Sequence, residues 1–202
     1  MTRTRVFCVG FQKTGTSSLG RALGRLGYRV AGYHPFRDLA ARPGLDMETV
    51  WARARPVAMA HDAVQDTPWP VLYDRLDAAF PGAKFLHVVR DRDAWLKSVL
   101  GDFSDHHNEI HRLIYGSDCP VGNEAAWLAR YDRHNREVAA HFADRPGDYL
   151  RLDLAEIGWD RICPFLGCEI PDLPWPHANT RREKRLRMRY HQMRERLRGL
   201  LR

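Results

Sequence analysis

The chain has 202 residues, 44% hydrophobic and 28% charged, which suits one domain over 1–202 with enough apolar material for a core, so a fold held together by disulfides is unnecessary. Its net charge of +7 is concentrated in residues 181–202, where ten Lys or Arg face two Glu and the body is left near neutrality, so a specific nucleic-acid role is not expected. The start lacks the long apolar stretch of a signal peptide, and no run approaches the ~20 apolar residues of a membrane span; a soluble, cytoplasmic protein is expected, with Cys8, Cys119, Cys163 and Cys168 reduced.

In chain order, residues 5–10 form a short apolar run ending in Gly and predict a buried strand. A turn of Gly, Thr and Ser follows. Leu19, Ala22, Leu23 and Leu26 then recur at helical spacing, and Gly27 closes a helix over 17–26. Residues 28–32 predict a second strand, 46–55 a helix and 56–60 a third strand. Pro68 opens a helix to residue 80, with Leu72, Leu76 and Ala79 on one face. Residues 84–89 are a clear buried strand and 93–100 a helix. The polar, His-rich stretch 101–122 reads as a substrate-side loop with a helical piece. A long helix over 123–142, a last strand over 149–152 and a helix over 158–166 complete the pattern, with 171–176 extended and the tail helical from Thr180. Strands alternating with helices predict an α/β fold: one three-layer α/β/α domain with a mainly parallel sheet. Ligands in such folds bind beyond the carboxyl ends of the strands.

One segment at such an end has the composition of an anion cradle. In Gly10-Phe-Gln-Lys-Thr-Gly-Thr-Ser-Ser18 the glycines permit a tight turn and close approach of the backbone, the N–H groups and the helix N-terminus attract an anion, and Lys13 adds a charge. A nucleoside triphosphate loop places its lysine directly after the second glycine; here Thr16 stands there and the lysine comes earlier. The bland alternative is a helix cap whose Gly and Thr serve only the turn. A second segment, Val88-Val-Arg90-Asp-Arg-Asp-Ala-Trp-Leu-Lys-Ser98, ends a strand on an arginine suited to bidentate phosphate contact. Its bland alternative is a surface salt bridge of Arg90 with Asp91 or Asp93.

Together these segments resemble sulfotransferases that use 3′-phosphoadenosine 5′-phosphosulfate (PAPS), which have a P-loop-like fold and the pattern Lys-x-Gly-Thr/Ser-Ser/Thr. The resemblance to a bacterial branch extends through Asp62–Pro70, Phe80–Phe85, Tyr131–Arg136, Cys163–Gly167 and Pro174–Asn179. It implies that Gln12, Lys13, Thr14, Gly15, Thr16 and Ser17 surround the phosphosulfate, that Arg90 and Ser98 hold the 3′-phosphate, and that no metal is required. The chain departs from the family at Arg92, where many members have Pro, and in lacking a late Gly-rich loop, for which Arg181, Arg182 or Lys184 are candidate substitutes. The implied reaction is in-line transfer of a sulfuryl group to a hydroxyl or amine of a small-molecule, glycan or lipid acceptor, with release of 3′,5′-adenosine bisphosphate (PAP). Lys13 stabilises the leaving phosphate, and a general base comes from His61, Asp62 or Asp66. Asp66 is preferred for its Gln-Asp-x-Pro setting, against the alternative that it caps the following helix.

His107 and His111, four apart, could share one helical face as a metal pair, but no third ligand is indicated, and a mobile substrate-side loop that helps set acceptor choice is the preferred reading. Trp69, Trp95, Trp127, Trp159 and Trp175 read mostly as core. Leu186, Tyr190, Met193, Leu197 and Leu200 make one apolar stripe on the basic tail, 181–202, which would dock on the body, on a partner subunit or on an anionic surface. Two rival readings are a small-molecule kinase with a variant phosphate loop and a binding module that acts through this tail.

Overall fold

The computed structural model of the protein describes residues 3–178. Five strands, β1 (Val6–Cys8), β2 (Val30–Ala31), β3 (Ala63–Val64), β4 (Lys84–Val89) and β5 (Tyr149–Asp153), form one sheet in the order β2-β3-β1-β4-β5, with every neighbouring pair parallel. The helices are α1 (Thr16–Arg25), α2 (Met47–Ala60), α3 (Tyr73–Ala79), α4 (Arg92–Phe103), α5 (Glu109–Tyr115), α6 (Glu124–His141) and α7 (Trp159–Leu166). Short 3-10 turns cover His34–Ala41, Trp69–Leu72 and Leu154–Glu156. Among the described residues no helix is long and apolar enough to cross a membrane.

The period of two along the strands sorts side chains into two cores. Val6 and Cys8 of β1, with Leu86 and Val88 of β4, meet Leu19 and Leu23 of α1 and Ile162 of α7 on one face. Phe7, Val9 and Phe85 point the other way, into the larger core with Val50 and Ala54 of α2, Trp95 of α4, Ile110 of α5 and Trp127 of α6. The parallel sheet is therefore covered on both faces, the α/β/α arrangement expected. Trp69, Trp95 and Trp127 are fully buried core residues.

One expected strand is a helix. Residues 56–60 continue α2, and the third strand lies later, at Ala63–Val64. Five apolar residues cannot distinguish the two states by themselves. The deciding pattern is Val50, Ala54 and Ala58, four apart and buried, which carries the helical stripe past an exposed Pro56. The expected helix over 68–80 is a 3-10 turn followed by the shorter α3. Within 101–122, α4 extends to Phe103 and the helical piece is α5, which buries Ile110, His111, Ile114 and Tyr115. The expected helix over 181–202, with Arg181, Arg182 and Lys184, lies outside the described residues.

Candidate active site

The carboxyl ends of β1, β3 and β4 open onto a cavity of about 540 Å³ lined by Gln12, Lys13, Gly15, Thr16, Ser17, Asp66, Arg90 and Ser98, among others. The loop between β1 and α1 is shaped by its glycines. A Cβ on Gly10 would lie 2.3 Å from the Val88 carbonyl oxygen, so only glycine lets β1 leave the sheet this close to β4. Gly15 has φ 86° and precedes the first turn of α1. Lys13 is itself left-handed, at φ 71°. Thr14 is buried, and its hydroxyl donates to the Phe11 carbonyl at 2.6 Å, so its side chain closes the turn.

Arg90 sits at the end of β4 with its main chain clamped. The Tyr131 hydroxyl accepts from the Arg90 N–H at 2.9 Å and donates to the Arg90 carbonyl at 2.7 Å. Tyr131 is in turn stacked on Trp95, with ring centroids 4.2 Å apart. The guanidinium reaches back to the loop and donates to the Lys13 carbonyl at 3.1 Å. Asp91 caps α4 by accepting from the Ala94 N–H, and Arg92 pairs with Asp132 and Asp93. Ser98, two turns into α4, brings its side chain to the same cavity.

The three candidate bases separate in space. Asp66, at the carboxyl end of β3, lines the cavity. Burial pushes its carboxyl pKa up, partly offset by the Thr67 N–H, which donates to it at 2.9 Å, and by the charge of Lys13. It does not cap the following turn, whose N-cap is Pro68 with no side-chain bond. Asp62 lies at the opposite end of β3, where its carbonyl accepts from the Val6 N–H as β1 begins. Its carboxylate is bound by the Arg29 guanidinium at 3.0 and 3.1 Å, and those hydrogen bonds hold its pKa down to about 2. His61 ends α2, with Nδ1 2.8 Å from the Val57 carbonyl. Neither Asp62 nor His61 lines the cavity.

Opposite the loop the cavity wall is made by Tyr33, Asp102, Phe103, His106, Asn108 and His111. Asp102 forms an ion pair with Lys13. Sequence reading missed this residue, although its position four after Ser98 puts both on one face of α4. Asn108 donates to the Tyr33 hydroxyl at 3.1 Å and also caps α5. His111 is buried and its pKa falls to about 4, so the ring is neutral. His107 and His111 do not share a helical face: His107 precedes α5 and is exposed, with Nδ1 2.8 Å from Asp118. His107, Asp118 and Cys119 do bring ligand atoms within 4.8 Å of one another, but Arg112 already occupies Asp118 at 2.5 Å.

Comparison with known proteins adds an independent line. The family model described as "Sulfotransferase domain" matches residues 5–115 and 99–184. The chain is 27% identical over 218 residues to Ava biosynthesis cluster protein M of Aspergillus versicolor, covering 87% of this chain and 81% of that protein. A mouse sulfotransferase complexed with PAP superposes with a TM-score of 0.53 at 14% identity, over 85% of this chain and 61% of that one. A sulfotransferase from Alicyclobacillus acidocaldarius gives 0.49 at 18% identity, over 86% and 85%. At 14% identity the likeness to the mouse protein is one of fold.

Proposed function

Because the chain belongs to the sulfotransferase family, we propose that its cavity binds PAPS and that the protein moves the sulfuryl group to a hydroxyl or amine of a small-molecule acceptor. The observation that carries this reading is convergence: one cavity is lined by the loop after β1, by Arg90 and Ser98 from the β4–α4 segment, and by the half-buried Asp66. These residues suit the donor. Gly15 presents main chain without side-chain bulk, Lys13 and Arg90 are cationic, and Thr16, Ser17 and Ser98 contribute hydroxyls. When bound, PAPS supplies an activated sulfuryl group whose displacement leaves PAP.

The chain's own residues divide the work. The loop N–H groups and Lys13 hold the 5′ end and stabilise charge at the leaving oxygen. Arg90 and Ser98 hold the 3′-phosphate. Asp66 takes the acceptor's proton, and its raised pKa makes it a stronger base than an exposed aspartate. Tyr33, Phe103, His106, Asn108 and His111 form the acceptor's wall. A small-molecule acceptor is supported by the relative named for a biosynthesis cluster.

The test is calorimetric titration with PAP, using ATP·Mg and AMP as controls. PAP binding that exceeds both controls and weakens in Arg90→Ala is the expected result. A preference for ATP·Mg, or no binding of PAP, overturns the reading.

A further inference from the structure

Gln12 stands next to Lys13 and lines the cavity, yet it is only 4% exposed and both ends of its amide are engaged inside the protein. Its Oε1 accepts from the Thr67 hydroxyl at 2.7 Å, and its Nε2 donates to the Tyr115 hydroxyl at 2.7 Å. Its main-chain carbonyl accepts from the Trp95 indole at 2.9 Å. Thr67 and Tyr115 are each 4% exposed, so these bonds lie away from water. Thr67 is the residue whose N–H donates to the Asp66 carboxylate. Asp66 needs such support, since it adopts a left-handed conformation, φ 73°, in a connecting segment.

We propose that Gln12 is a positioning residue that ties the donor loop to the Asp66–Thr67 segment, fixing the base relative to the phosphosulfate site, and that it does not itself bind the donor. The inference rests on the reading of Asp66 as the base. Residue chemistry explains the choice of glutamine. The glutamine amide offers an acceptor to Thr67 and a donor to Tyr115 from one planar group, at every pH and with no charge. Asparagine is a methylene shorter. An apolar residue strands two buried hydroxyls, and glutamate adds a buried charge beside an anion site. The third bond, to Trp95 of α4, pins the loop to the helix that carries Ser98 and Asp102. Gln12 thus joins the loop to α4, to α5 and to the residue after the base, across sequence separations of 83, 103 and 55 residues.

The test compares Thr67→Val, Thr67→Ser, Gln12→Met and the double variant Gln12→Met/Thr67→Val. PAPS turnover is read as PAP release with water, which is always present, as acceptor. PAP affinity is measured by calorimetry and folding by Tm. Misplacing a reacting group by an ångström costs on the order of a hundredfold, so a loss of roughly ten- to a hundredfold is expected in Thr67→Val and Gln12→Met, with PAP affinity unchanged. Thr67→Ser, which keeps the hydroxyl, restores the rate. The double variant is no slower than Gln12→Met alone, because one bridge is cut twice. Wild-type turnover in Thr67→Val, or a fall in PAP affinity parallel to the rate in Gln12→Met, overturns the proposal. Asp66→Asn separates the two readings. If that variant keeps its rate, the base assignment fails. If it loses its rate while Thr67→Val does not, only the bridge fails.

Discussion

The guanidinium of Arg90 donates to the main-chain carbonyl of Lys13 at 3.1 Å, joining the end of β4 to the loop after β1 across 77 residues. Arg90 is therefore a support for the loop as well as a candidate phosphate ligand. Hydrogen bonds to charged groups contribute about 1.5–3 kcal/mol, so Arg90→Met should weaken PAP binding roughly 10- to 100-fold. Arg90→Lys should recover part of the loss, since a lysine keeps the charge and gives up the fork. Calorimetry on the two variants checks both statements.

Lys13 and Asp102, which both line the cavity, form an ion pair. On the proposed mechanism, replacing Lys13 with Met removes a cation from the leaving oxygen and takes the Lys13 charge away from the Asp102 carboxylate, which lines the same cavity. Loss of one preorganised electrostatic contact costs about 100- to 1000-fold in turnover. The expected sign of the coupling is specific: Lys13→Met/Asp102→Asn binds PAP more tightly than Lys13→Met alone. Equal affinities for the two would remove Asp102 from the donor's electrostatics.

Asp66 gives a two-part expectation. As a base it must be ionised, so turnover rises with pH, with a midpoint above the ~4 of an ordinary aspartate. A carboxyl whose pKa is raised by folding contributes stability below its unfolded pKa, and that contribution is lost as pH rises through the folded value. At pH 7 the desolvated carboxylate is a cost. Asp66→Asn, which also tolerates a positive φ, should abolish the pH-dependent rate and raise Tm at neutral pH. The gain in Tm should vanish in acid. Thermal melts across pH alongside turnover read both effects.

Asp62 has the opposite sign. Arg29 holds its pKa at about 2, so its contribution is present above the unfolded value of ~4 and is lost as pH falls through about 2. Asp62→Asn should lower Tm at neutral pH, with the difference from the parent protein shrinking in acid. Turnover should be untouched, as in His61→Ala, because neither side chain lines the cavity. A large rate loss in either variant at unchanged Tm would reopen the choice of base.

The legible features were those encoded within one contiguous stretch. Gly10 to Ser18 holds a strand end, a turn and a helix start within nine residues, and each residue type there has a local reason. Arg90 and Ser98 follow the same logic along β4 and α4. The strand misplaced at 56–60 shows the limit: a five-residue apolar run satisfies either period, and only packing of Val50, Ala54 and Ala58 against the sheet decides for helix. Asp62 and Asp66 were indistinguishable as letters, yet β3 puts them at opposite ends of a parallel sheet, one paired with Arg29 and the other in the cavity.

What the sequence determined by itself is the local make-up of the loop after β1 and of the β4–α4 segment, because turn geometry, hydroxyls and charge act within a few bonds of one another. What only the tertiary structure decided is the pairing of distant groups: Gln12 with Thr67 and Tyr115, Lys13 with Asp102, and Asp66 with the cavity. Those contacts depend on strand order and on the registry of helices over the sheet. Both are set by the burial of two whole faces, which no local stretch of residues specifies.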